Sequence, residues 1–251
     1  MTALLEAGLA VSLGGPLLLV LVTRRFALNQ LSLASRMLLW LLAAAAFVLA
    51  ARSGEAWPLR IGMTTFGWLD LLSTVVAIIA MLAGAIAWPQ LMTKLGVKGS
   101  MGSDLQKKIY SLSAPYRLFL VTTAAVTEEM LYRGYAIGIG QEVWGSLTVA
   151  FVVSLLVFVG AHVTHGAKAL VTVFWISLLM SLLFAMTNSL WACIVAHFAV
   201  DAFGILLVPW LMARQRAHGA RRSPGEAGAR PDLAINAPTS VPPSGSPPAP
   251  H

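Results

Sequence analysis

Charge is scarce in this chain. Only 11% of its 251 residues are Asp, Glu, Lys or Arg, while 58% are hydrophobic; soluble domains carry about 25% charged residues. The mean hydropathy is +0.79. A water-facing surface needs polar side chains that this composition does not supply, so a soluble globular domain is excluded. Cysteine is nearly absent: Cys193 is the single one, which rules out an internal disulfide and a zinc site built from several thiolates. The start, Met1-Thr2-Ala3-Leu4-Leu5-Glu6, lacks the basic stretch of a cleavable signal peptide, so the first apolar segment is expected to stay as a membrane span. No internal repeat is visible. Also missing are an H-E-x-x-H zinc helix, a G-x-S-x-G nucleophile turn and a Gly-x-Gly-Asp motif, since Gly138-Ile139-Gly140 is followed by Gln141.

What is present is a series of Leu- and Ala-rich runs. Seven candidate spans are expected, at about 3–23, 37–51, 66–88, 115–139, 146–163, 169–186 and 190–212. The second is short enough to be interfacial or longer than drawn. Lipid offers no partners to backbone amides, so all are expected to be helices. The fold class is therefore an all-α polytopic membrane protein with about seven transmembrane helices.

The basic residues test that count. With the N-terminus outside, Arg24, Arg25, Arg36, Lys94, Lys98, Lys107, Lys108, Arg117, Lys168, Arg214, Arg216, Arg221, Arg222 and Arg230 fall on one side, and only Arg52 and Arg60 on the other. Arg133 alone lies within a span. The positive-inside rule then puts the C-terminus in the cytoplasm, in a bacterial-type inner membrane. The same rule accounts for the net charge of +7 without a nucleic-acid partner. Three regions are expected: N-terminal helices and a cytoplasmic loop (1–114), a core bearing the chemistry (115–212), and a disordered cytoplasmic tail rich in Pro, Ala and Gly (213–251).

Charge inside a span is expensive, on the order of 2.5–3.5 kcal/mol per residue, and marks a functional site by default. Span four carries Glu128-Glu129-Met130-Leu131-Tyr132-Arg133. Glu129 and Arg133 are four apart and share a helix face; Glu128 is turned about 100° from Glu129. Arg133 is expected to neutralise Glu129, leaving Glu128 to face a cavity. An ion pair kept only for folding explains Glu129 and Arg133 but not Glu128. Span five ends in Phe158-Val159-Gly160-Ala161-His162-Val163-Thr164-His165, where a lone histidine is more often a cap, and His165 falls in the expected loop. In span seven His197 and Asp201 are four apart, and an Asp–His hydrogen bond between helices is the plain alternative. Cys193 is expected to be a small buried apolar residue rather than a nucleophile. Gly134-x-x-x-Gly138 is expected to permit close packing, and Asp70 to sit near the outer end of span three. Together, a carboxylate and histidines suit the activation of water. They are also an N/O ligand set for zinc. A non-catalytic scaffold or a proton-linked carrier is the rival, although a carrier is expected to show repeats and broken helices.

In order, these segments match E-E-x-x-x-R, F-x-x-x-H and H-x-x-x-(N/D), and so the chain resembles the CPBP intramembrane proteases, which group CAAX prenyl endopeptidases with bacteriocin-processing and self-immunity proteins. The resemblance covers about 115–212. It implies an endopeptidase acting on a membrane-associated protein or peptide, with Glu128 as the base that activates water and His162 as its partner. It places His197 and Asp201 at an oxyanion-binding pair, and Glu129 and Arg133 at positions that hold the site together. Asp201 stands where the family often has Asn. An ionised Asp repels an oxyanion, so it is protonated, orients His197 or binds a metal. Zinc, with Glu128, His162, His197 and Asp201 as candidate ligands, and a metal-free site are both open. On the expected topology, Glu128 and His197 lie about 20 Å along their helices from the cytoplasmic end and His162 about 5 Å. Their convergence requires span five to continue inward, to tilt, or to end at a deep water-filled vestibule.

Overall fold

The computed structural model describes residues 2–26, 29, 31–97 and 103–222, and among these every regular element is helical. Helix α1 (Thr2–Arg25) contains a π-helical stretch at Ala10–Gly14. It is followed by α2 (Leu33–Ala51), the short α3 (Trp57–Arg60), α4 (Trp68–Lys94) and α5 (Ser103–Ser111). Helix α6 starts as Ala114–Glu129, continues through the π-helical Met130–Ile139 and closes with Gly140–Trp144. Then come α7 (Leu147–Ala161), α8 (Ala167–Thr187) and α9, which starts as Leu190–Ala202, passes through a π stretch at Phe203–Leu207 and resumes at Val208–Arg222.

Each expected span coincides with one long helix. By length and composition alone, five helices can cross a membrane: α1, α2, α4, α8 and α9. The other two expected spans fall short for visible reasons. Helix α6 is interrupted by Glu128, Glu129 and Arg133, and α7 has 15 residues, about 22 Å against a hydrocarbon core of about 30 Å. Helix α2 begins earlier than expected because Ser32 caps it, accepting from the Ser35 amide at 3.3 Å, as N-cap serines do. The last helix runs on to Arg222 instead of stopping at Met212, since Ala213-Arg214-Gln215-Arg216-Ala217 are good helix formers. The remainder of the expected disordered tail, 223–251, lies outside the described residues. The described residues up to Trp210 form one compact unit.

Contacts at the helix ends agree with alternation of direction. At one end Arg60 pairs with Glu142 at 3.4 Å, and the Leu190 amide donates to the Gly62 carbonyl at 2.7 Å. At the other, Lys168 donates to Thr93 Oγ1 at 3.1 Å, and Tyr116 donates to the Leu31 carbonyl at 2.7 Å. The outer faces carry large apolar side chains in the open, among them Met186, Leu69 and Trp68, each about three-quarters exposed. In water such a surface would aggregate; against lipid tails it is what the solvent selects. Asp70 caps α4, accepting from the Gly67 amide at 2.8 Å.

Helix α6 is the hub. From Leu131 to Ile139 every residue is buried. One apolar cluster joins Leu131, Tyr132, Tyr135 and Ile139 to Leu5, Leu9, Ala43, Ala46 and Phe158. A second joins Ile137 to Met81, Met180, Phe184, Cys193 and Ala196. Small residues allow the approach: a Cβ at Gly8 would fall 1.8 Å from Tyr135 Oη, and one at Gly138 would fall 2.2 Å from the Arg60 carbonyl oxygen. The expected glycine pair of α6 packs on the end of α3, Gly138 against the Arg60 carbonyl and Gly134 against Ile61, with Leu190 of α9 also beside Gly134. A π stretch disturbs the regular carbonyl ladder, and serines on neighbouring helices meet α6 there. Ser12 donates to the Leu131 carbonyl, and Ser154 to that of Tyr132 at 2.8 Å. In α9, Tyr110 and Arg117 donate to the Gly204 and Ile205 carbonyls at 3.1 and 3.0 Å. Backbone polar groups at membrane depth require such partners.

Candidate active site

The two adjacent glutamates of α6 diverge as helix geometry requires. Glu129 is fully buried and points into a polar knot between α6, α8 and α9. Arg133 Nη1 donates to Glu129 Oε1 at 2.9 Å. Its Nη2 donates to Ser177 Oγ at 2.9 Å and to the Ser177 carbonyl at 3.2 Å. The guanidinium also lies 4.8 Å above the Phe158 ring of α7. His197 Nδ1 is 2.6 Å from the same Glu129 oxygen, and His197 Nε2 is 3.5 Å from Asp201 Oδ2. This buried cation has charge, hydrogen bond and ring partners, as a guanidinium at this depth requires.

Glu128 faces the other way, into a cavity of about 220 Å³. Six helices, Leu31 before α2 and the turn after α7 line it. Besides Glu128, its polar wall holds Arg36, Tyr132, His162, His165 and Asp201, and Leu19, Leu39, Leu105, Ile109 and Leu120 are among its apolar residues. His162 follows the last turn of α7, where Nδ1 lies 2.8 Å from the Phe158 carbonyl. A carbonyl only accepts, so Nδ1 carries the hydrogen and a neutral ring has Nε2 as an acceptor. The His165 ring lies 5.1 Å from that of His162, in a 3₁₀ turn. There, burial and the neighbouring His162 push its imidazole down to about 4. Helix α7 ends at Ala161, and His162 and His165 just after it line the cavity that Glu128 faces.

Of the six residues expected to carry the chemistry, Glu128, His162 and Asp201 line this cavity together. Glu129 and Arg133 stand behind it, paired as their spacing requires. His197 is not among the lining residues. Its two nitrogens face Glu129 and Asp201, so it supports the wall instead of donating into the cavity. Among the described residues no three of His, Cys, Asp and Glu gather as a metal site. With both His197 nitrogens already facing carboxylates, the candidate ligand set Glu128, His162, His197 and Asp201 does not fit one ion. Cys193 is buried in the second apolar cluster.

Three more residues of the cavity lie outside the expected six. Tyr132 is four residues beyond Glu128, a helical-spacing signal, and His165, expected only as a loop residue, is three beyond His162. Arg36 was counted as a loop charge but lies in the first turn of α2.

Residues 110–203 match the family model described as Type II CAAX prenyl endopeptidase Rce1-like. No curated protein and no solved structure matches the chain. The matched stretch spans all three motifs, from Glu128 to Asp201. This stretch of the chain, with its three motifs, is therefore similar to the CAAX-type intramembrane proteases.

Proposed function

We propose that the protein is a glutamate-dependent endopeptidase that hydrolyses a peptide bond of a membrane-associated protein or peptide, with water activated by Glu128 and His162. The observation that carries the reading is the division between the two glutamates: Arg133 and His197 converge on Glu129, while Glu128 shares a cavity with His162. A water in this cavity donates one hydrogen to the Glu128 carboxylate and is oriented by the His162 Nε2 lone pair. Glu128 takes the proton as the water oxygen bonds to the carbonyl carbon. When the tetrahedral intermediate collapses, Glu128 returns that proton to the departing amine. Asp201, 3.5 Å from His197, positions the ring and shapes the cavity wall. No step is assigned to a metal.

The topology belongs to the same proposal. Seven helices span a bacterial-type inner membrane, with the amino terminus outside and the tail in the cytoplasm, so that the vestibule opens from the cytoplasmic side. The split of basic residues and the pairing of helix ends support it. A reporter fused after residue 216 is expected to be active only in its cytoplasmic form.

The experiment for the activity compares membrane proteomes of cells making the wild-type protein with cells making Glu128→Gln. An uncut precursor is expected to accumulate with the variant, which keeps the shape of the side chain but accepts no proton. Identical proteomes, with both proteins inserted at equal levels, contradict the reading.

A further inference from the structure

Hydrolysis through Glu128 leaves one requirement unmet: a donor for the oxyanion that forms on the substrate carbonyl. Neither residue of the helical pair in α9 meets it from the wall of this cavity. An ionised Asp201 has only acceptors, and both His197 nitrogens face carboxylate oxygens, at 2.6 Å on Glu129 and 3.5 Å on Asp201. His162 spends its Nδ1 hydrogen on the Phe158 carbonyl, and Ser35 donates to the Asn29 carbonyl at 3.1 Å.

Tyr132 is different. It lies one helical turn beyond Glu128 and lines the same cavity. Its side chain is 1% exposed, and its hydroxyl has no hydrogen-bond partner in the protein. A buried phenol without a partner loses about 1–3 kcal/mol of desolvation, so proteins rarely keep one without a use. The ring itself is fixed. It stands edge-on to Phe158 at 4.9 Å, and Ser154 holds the Tyr132 backbone by its carbonyl. The hydroxyl is therefore a buried donor on a fixed ring, one helical turn from the proposed base and without an acceptor in the protein.

We propose that Tyr132 is a catalytic residue whose phenolic O–H donates a hydrogen bond to the oxyanion of the tetrahedral intermediate; this rests on the protease reading above. As the water oxygen bonds to the carbonyl carbon, the π electrons of the carbonyl move to its oxygen, and Tyr132 donates to that oxygen without giving up its proton. When the carbon–nitrogen bond breaks, the electrons return, the carbonyl re-forms and the amine takes its proton from Glu128. Atoms and charge balance with Tyr132 unchanged.

The test is Tyr132→Phe, with Glu128→Gln made in parallel. The assay uses purified protein in liposomes and a quenched fluorogenic peptide ending in a farnesylated Cys-aliphatic-aliphatic-X sequence, with its unprenylated counterpart. Loss of one oxyanion donor is expected to lower kcat by about 10²-fold, with KM within about threefold because the contact forms only in the transition state. Thermal stability is expected to be unchanged or slightly higher, since the deleted hydroxyl has no partner in the protein. If Tyr132→Phe turns over within threefold of wild type while Glu128→Gln is dead, the donor role falls and the protease reading stands. A fall of several degrees in Tm for Tyr132→Phe shows a structural hydroxyl and also overturns the proposal. If both variants cut normally, or if wild type cuts neither peptide, both readings fail.

Discussion

Two faces of α6 carry similar residues in opposite circumstances. On one, Glu129 and Arg133 are fully buried and tied to Ser177, His197 and Phe158. On the other, Glu128 and Tyr132 look into a cavity with His162 and His165. One residue of helical rotation separates a carboxylate held within a network from one facing a cavity. Depth in the membrane alone therefore does not decide whether a charged residue faces a cavity. What distinguishes the two faces is whether the partners are already protein groups.

The comparison breaks most easily at the closed face. Arg133→Ala leaves Glu129 buried beside His197 without its cation, and removing one partner of such a pair costs about 3–5 kcal/mol. Yield and Tm are both expected to fall, with activity following the loss of folded protein. A variant with wild-type Tm and no turnover would place Arg133 in the chemistry and dissolve the contrast. Ser154→Ala is a gentler test, at the Tyr132 backbone. It removes the partner of the Tyr132 carbonyl beside the π stretch, at about 1–3 kcal/mol for the orphaned group, and is expected to lower Tm with a smaller effect on turnover. A Tm equal to wild type would show that the serine does not support the stretch.

Asp201 lies where the faces meet. In a metal-free site Asp201→Asn keeps an acceptor toward His197 and removes a negative charge from the cavity, so turnover is expected to stay within a few-fold or rise. A fall of about 10–100-fold together with loss of bound zinc would make Asp201 part of a metal site.

The smallest expected effect is a dependence on pH. His165 is held at about 4 in the folded protein, while an unperturbed imidazole titrates near 6.5. Between those values the unfolded chain binds more protons, so this contribution to stability is full above about pH 6.5 and declines as the pH falls toward 4. Tm is expected to drop between pH 7 and pH 5, and His165→Gln to reduce that drop. An equal drop in the variant would remove His165 from the account.

Much of this contrast was legible in the sequence. Hydrophobic runs located the long helices, although α4, α6 and α9 continue past the apolar runs that mark them, and the four-residue spacing of Glu129 and Arg133 fixed their pairing and the outward turn of Glu128. The rest depended on neighbours that spacing does not identify. The pattern places His197 and Asp201 on one face but says nothing of Glu129, 68 residues away, taking the other ring nitrogen. The π stretch at Met130–Ile139 has no periodic signature of its own. Tyr132 reads as one more large residue in an apolar helix until its hydroxyl is found without a partner, and Arg36 reads as a loop charge until Ser32 is seen to start α2 earlier.

The division between the two glutamates is tested most directly by making Glu128→Gln and Glu129→Gln side by side, and measuring turnover of one substrate and Tm for each. Glu128→Gln is expected to lose at least about 10²-fold in turnover at wild-type Tm, and Glu129→Gln to lose Tm by disturbing its contacts with Arg133 and His197. The reverse pattern, with Glu128→Gln active and Glu129→Gln stable but inactive, would contradict the assignment of the base.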